Sequence, residues 1–552
     1  MFKKIFLSFT RRERIVFFIA LGAAIVSGAS LVGAGLTAAT RDVPAAGGDY
    51  AEGAVGQPIY VNPVIASSQT DKSLFKLVFA NLGELAQSIT MSQDGRTWDV
   101  RLKENLKWQD GQQLTSDDVI FTVQEIQDPA TQSPLAASWQ GVSASRVSEL
   151  ELQFSLINPY AFFGDTVNAL YPIPKHLFVD TPPANWKLSD YNLKPVGSGP
   201  YQFVNYDKRP DGFITDYKLA AWKSFPGTAA LIQNFDFRFF AQTDDLISHF
   251  NSGAIDGLAS LDSANLASVK RPYELIPFKL PSYYGVFLNQ SQSLPLQDAA
   301  VRNALNLLTD RNALVNAALG GHGSPAIGPI PENSPNFDHN LVPTSTLGGA
   351  DALSEASATL DAAGWVMTSS SFREKKIGGQ EVPLELTLTV PQIDFLETTA
   401  NLLQSAWQSA GFKIDQDVEP ADALAANAVK NRSYEMLLFG NILGPSDDLY
   451  SFWNSSQRFY PGLNLAIYNS ATADSLINSI RQELDPAKRA ANFIKLQDTI
   501  VNSAPAIFLY SPDYLYIADK NLHGAQGGTI ADPSDIFGGT AGWYLNTARV
   551  LK

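Results

Sequence analysis

The chain contains no cysteine. That absence excludes disulfides, thiolate metal sites and cysteine nucleophiles, and also the lipid-modified cysteine that anchors a bacterial lipoprotein. Histidine is scarce: His176, His249, His322, His339 and His523 lie far apart, without metal-ligand spacing. Gly197-Ser198-Gly199 lacks the outer glycines of a Gly-x-Ser-x-Gly nucleophile elbow. No glycine-rich phosphate loop precedes a helix. Neither a cofactor nor a metal is expected, and a membrane-anchored hydrolase has nothing here to carry it. Positive charge is also short, with 40 Lys and Arg against 55 Asp and Glu, a net −15. Lys3, Lys4, Arg11, Arg12 and Arg14, less Glu13, contribute +4, so −15 − 4 leaves −19 for the rest. Such an acidic body does not attract nucleic acid or an anionic membrane surface.

What is present begins with a leader. Residues 1–14 form a basic segment, and 15–39 an uncharged run that as a helix would span about 37 Å, enough to cross a bilayer. The basic flank keeps the N-terminus cytoplasmic. The rival is a cleaved signal peptide, with Thr37-x-Ala39 as its small-residue site, but the apolar region is long for one. Arg11-Arg12 is not a twin-arginine signal, because Arg14 stands where that motif wants an apolar residue. Both readings place the body outside the cytoplasmic membrane. Residues 40–49, TRDVPAAGGD, read as a flexible tether.

At 552 residues two or three domains are expected. The body is organised around Tyr283–Pro331. Its apolar run Tyr283–Leu288 reads as a buried strand. A helix from Asp298 to Leu319 follows, with Val301, Leu305, Leu308, Val315 and Leu319 on one face, Asp298 placed to pair with Arg302, and Gly320-Gly321 as the stop. Before this stretch the chain is strand-rich; a helix capped at Asp71 and a second beginning at Thr115 interrupt the strands. After it, Pro383–Val390, Phe395–Gly411 and Phe412–Val418 make a strand–helix–strand unit. Tyr434–Phe439 and Pro505–Tyr510 read as further buried strands. The fold class is α/β with α+β parts.

Six blocks, in one order, carry a resemblance: GQPIYVNPVIASSQTDKSLFKLVFANL, DGRTWDVRLKENLKWQDGQQLTSDDVIFTV, PVGSGPYQFVNY, PLQDAAVRNALNLLTDRNALV with GSPAIGPIP, YEMLLFGNILGPSDDLYSFW, and AKRAANFIKLQDTIVNSAPAIFLY. Together they resemble the extracytoplasmic solute-binding proteins of peptide ABC importers, the dipeptide/oligopeptide-binding group of solute-binding family 5. The resemblance implies a two-lobed clamp with an inserted subdomain near 83–194. Lobe I would take 50–285 and regain the chain at 507–552, and lobe II would take 286–506. Tyr283–Leu288 would be the first hinge crossing and Pro505–Tyr510 the return. It further implies a monomer that closes on a peptide or similar small solute and delivers it to a permease, with no chemistry done on the ligand. A sensor or chaperone-like clamp without transport is the alternative.

The same resemblance assigns the binding residues. Phe79, Ala80 and Asn81 match the first-lobe contact segment; Tyr283, Tyr284 and Asn289 match the hinge strand. Asn441, Asp447, Asp448 and Trp453 lie on the second-lobe segment. Core packing is the competing role for the tyrosines and for Trp453. The family's amine-binding aspartate is displaced, since its expected place holds Gly444 or Pro445. Either Asp447 takes that role or the amine clamp is missing; a turn or helix cap is the simpler role for Asp447 and Asp448.

Overall fold

The computed structural model describes residues 10–259, 261–341, 349–369 and 371–551. The leader is a single helix, Arg11–Ala39, started by a capping box between Thr10 and Glu13. Its stretch Arg11–Leu31 is long and apolar enough to cross a membrane, a test that signal sequences also pass. The expected tether is not free chain. Thr40–Ala45 is a strand, paired antiparallel with Asn546–Leu551. Proline and alanine in TRDVPA suggested flexibility, but an edge strand tolerates Pro44, and the partner lies some five hundred residues away.

The body is built on one twelve-stranded mixed sheet. Lys413–Glu419, Glu385–Pro391, Met436–Ile442 and Ser282–Leu288 run to the central strand Ala506–Asp519, and Gly257–Ala259, Asp49–Val55, Asn234–Phe240, Ile214–Ala221 and Tyr201–Lys208 continue beyond it. The central strand changes partners along its length. Ala506–Tyr510 pairs with Ser282–Leu288, whereas Asp513–Asp519 pairs with Tyr273–Lys279. Pro512 sits at the changeover, and for that reason the sequence pattern stops there while the strand does not.

The cores follow the same division. One core gathers Tyr50 through Phe278 and returns for Tyr516 to Trp543, with a satellite around Leu246, Phe250 and Ile517. Two others, drawn from Tyr283 to Tyr510 with Phe162 added to one of them, lie on opposite faces of the second half of the sheet. Tyr283 and Val286 already belong to that second half, and so do Ala506–Tyr510. The packing passes from the first core to the other two at Leu280-Pro281 and around Ser511-Pro512, with no break in the sequence pattern at the first of these. The reason is that side chains on both faces of Ser282–Leu288 are buried, so no alternation marks the edge.

A four-stranded antiparallel sheet forms the inserted subdomain, in the order Ala86–Met91, Thr97–Leu102, Glu151–Leu156, Val142–Arg146. The helix expected from Asp298 to Leu319 is two helices, Ala299–Leu307 and Arg311–Leu319. Asp310 caps the second, and the buried Arg311 guanidinium reaches the carbonyls of Ala326 and Phe508 at 3.0 and 2.8 Å. Asp298 caps the first and binds Lys375 at 2.7 Å; Arg302 turns instead to the carbonyls of Leu296 and Gln297. The helix Gln69–Val78 is capped by Ser68, and Asp71 accepts the backbone N–H groups of Ile59 and Tyr60. The expected strand–helix–strand unit is present, as parallel Glu385–Pro391 and Lys413–Glu419 joined by Asp394–Gln408.

Candidate functional site

The second-half strand Met436–Ile442 carries the most informative backbone. On one side it pairs with Ser282–Leu288 along its whole length, from Met436 to Ile442. On the other it pairs with Glu385–Pro391 only at Met436 and Leu437. Among the described residues the pairing goes no further than Leu437, and in the same register Pro391, the last residue of the neighbour, falls opposite Phe439. Gly440 stands opposite Tyr284, and a Cβ there would lie 2.8 Å from the Tyr284 ring. The glycine lets that ring lie across the strand, edge-on to Phe395.

Three of the expected residues meet in one buried cluster. The Tyr283 hydroxyl accepts hydrogen bonds from Asn441 Nδ2 at 2.9 Å and Trp453 Nε1 at 3.1 Å. Burial pushes the phenol up from its ordinary value, against the two donated bonds. Trp453 is fully buried among Phe287, Tyr468 and Phe508. These side chains hold the strand from behind.

The two aspartates part company. Asp447 sits in the left-handed region (φ 54°) at the turn after the strand, a conformation Asp tolerates. Its side chain points inward, accepting Asn336 Nδ2 at 2.9 Å and the Ser334 hydroxyl. Burial pushes its carboxyl up, opposed by those bonds. Asp447 is thus spent on anchoring a loop. Asp448 faces outward: its Oδ2 accepts the Tyr160 hydroxyl at 2.9 Å and Arg481 Nε at 3.0 Å. Asn289 is likewise committed to a turn, bonded to the carbonyl of Arg432 and to Ser291.

In the first half, Phe79 and Ala80 are buried and follow the helix Gln69–Val78. The glycine turn docks on them: Ser198 Oγ accepts the Ala80 N–H at 3.1 Å, and Gly199 N–H donates to Val78 O at 2.8 Å. Side chains at 197 or 199 would collide with the backbone of residues 77–79, which explains Gly-Ser-Gly without any nucleophile. Asn81 caps the short helix Leu82–Leu85 through a capping box with Glu84.

Asp448 lines a groove of about 490 Å³ between the inserted subdomain and the second half, with Asn158, Tyr160, Asn478 and Arg481 among its walls. The Arg481 guanidinium lies 5.1 Å from the Tyr160 ring and 4.3 Å from the Tyr450 ring. Its carbonyl accepts the Ala161 N–H at 2.7 Å, and Phe162 joins the second-half core beside Phe493. Sequence reasoning missed Tyr160, Phe162 and Arg481, because nothing local links positions three hundred residues apart. Among the described residues no cluster of acids and histidines suits a metal ion.

The oligopeptide-binding protein AppA of Bacillus subtilis is 25% identical over 515 residues, 87% of this chain and 89% of its own length. The fold matches the substrate-binding protein CtaP of Listeria monocytogenes with a TM-score of 0.78, at 24% identity, covering 91% of this chain and 99% of that one. It matches Bacillus subtilis AppA in complex with a nonapeptide with a TM-score of 0.70, at 22% identity, covering 91% of this chain and 100% of that one. Residues 82–460 match the family described as bacterial extracellular solute-binding proteins, family 5 Middle. The chain is a two-lobed member of the family 5 bacterial extracellular solute-binding proteins.

Proposed function

We propose that this protein captures a peptide between its lobes and delivers it to the permease of an ABC importer. The observation that carries the reading is the edge of Met436–Ile442, which among the described residues has no ladder partner beyond Leu437 on that side. An extended peptide can add to such an edge as a further strand; main-chain bonds give affinity independent of side chains. A relative similar over most of its length is an oligopeptide-binding protein. Lobe I comprises about 50–280 and 512–552, lobe II about 282–511, and the two chain crossings between them act as the hinge. Ligand that touches both lobes only when they are together shifts the population towards closure. Phe79–Asn81 contributes backbone from lobe I, and Tyr284 and Asp448 contribute side chains. Asp447, Asn289, Tyr283 and Trp453 position rather than touch the ligand. The leader helix remains as a single-pass anchor, holding a monomeric body at the outer face of the cytoplasmic membrane.

A thermal-shift screen of the detergent-solubilised chain against peptides, sugars and metal chelates tests this. A ligand at a hundred times its Kd should stabilise the fold by about 2.7 kcal/mol. Stabilisation by a sugar or chelate and by no peptide would refute the peptide reading.

A further inference from the structure

Gly257–Ala259, Asp49–Val55 and Asn234–Phe240 are parallel neighbours, and their carboxyl ends lie side by side. Ligands of open α/β sheets settle in the crevice beyond such ends. A cavity of about 230 Å³ lies there in lobe I, walled by Val55, Ala259 and Thr243, by Thr70 from the first turn of the helix Gln69–Val78, and by Tyr514 from the central strand. Glu52 also lines it and is 1% exposed. Its Oε2 accepts the Tyr516 hydroxyl at 2.8 Å and the Tyr50 hydroxyl at 3.5 Å. Its Oε1 is buried and has no hydrogen-bond partner.

Room for this carboxyl is built in, since a Cβ at Gly257 would collide with Tyr50, Glu52 and Tyr516 together. No lysine, arginine or histidine is among the described residues lining the cavity. The groups facing Glu52 are the two tyrosines and, farther off, Asp256, itself negative. Burial pushes the Glu52 carboxyl up to about 8; the tyrosine bonds oppose this and Asp256 adds to it. A buried acid with one bare oxygen and no basic neighbour is complementary to a cation that arrives from outside.

We propose that this cavity takes a protonated amine carried on an aliphatic chain of the bound ligand, the Glu52 proton passing to solvent as the ammonium arrives so that a carboxylate faces it. The aliphatic part would lie against Leu246, Phe237 and Phe537. The proposal rests on the reading of peptide capture between the lobes, and it puts cation selection in lobe I, on a different residue from Asp447.

The test is calorimetric titration of the full detergent-solubilised chain with alanine peptides of graded length, each carrying either one lysine or one norleucine, which has the same chain without the amine. The lysine member should bind about tenfold tighter, the size of one charge-assisted hydrogen bond in a buried site. Glu52→Gln should erase the difference between the two. Thr70→Phe, which obstructs the mouth from a half-exposed position, should erase it as well and serves if Glu52→Gln does not fold. Equal binding of both peptides by the parent chain, or a lysine preference that survives in the variants, would overturn the pocket while leaving peptide capture standing. Binding of no peptide at all would overturn the capture reading and the pocket with it.

Discussion

Phe162→Ala tests whether the contact between the inserted subdomain and lobe II controls closure. Phe162 is 7% exposed, its ring centroid lies 6.3 Å from that of Phe493, and the Arg489 guanidinium stacks on it at 5.7 Å. Truncating a buried phenylalanine costs about 3–5 kcal/mol. Its neighbours Tyr160 and Ala161 keep their own bonds to Asp448 and to the Arg481 carbonyl, so the lower end, about 3 kcal/mol, applies. Phe162 belongs to one body by sequence and to the other by packing, so if closure makes this contact the loss falls on the closed arrangement rather than on either fold. A shift of about 3 kcal/mol is roughly a hundredfold in the closed population. Apparent ligand affinity falls with the closed fraction, so Kd should rise by up to about a hundredfold. Small-angle scattering should report a larger radius of gyration, and titration calorimetry the weaker binding. If both stay at parental values while the melting temperature drops by the full amount, Phe162 is ordinary core and the groove does not open there.

Three further outcomes follow from the same geometry. Glu52 has a folded pKa of about 8 against 4.5 unfolded, so the unfolded chain releases its proton first and stability falls as pH rises between those values. The slope should approach about 1.4 kcal/mol per pH unit and vanish in Glu52→Gln, as read from denaturant midpoints between pH 5 and 8. Asp447→Ala should destabilise lobe II by about 1–3 kcal/mol, because Ser334 and Asn336 lose their acceptor, yet leave peptide affinity nearly unchanged once folded. A large affinity loss at full folded fraction would return Asp447 to the binding site. Tyr283→Phe should cost a similar 1–3 kcal/mol by stripping the acceptor from Asn441 and Trp453, measurable as an earlier unfolding of the indole fluorescence.

The sequence by itself determined the leader helix, the export of the body and the order of the blocks that mark the family. It did so because these features are local. Apolar length, capping at Thr10, Gly320 as a left-handed stop and the alternation of Leu384 to Val390 each operate within a few residues of chain. The two-lobed fold was legible for the same reason, from six local patterns in series. What tertiary structure alone decided is where each polar group goes. Asp447 and Asp448 are adjacent and chemically identical, yet one is turned inward to Ser334 and the other outward to Tyr160 and Arg481, through a backbone that enters the left-handed region at Asp447. The tether became a strand because Asn546–Leu551 returns to pair with it. Glu52 looked like one acid among many until the fold placed two tyrosines on one of its oxygens and nothing on the other. Burial and long-range pairing set these roles, and neither is encoded within any short window of the chain.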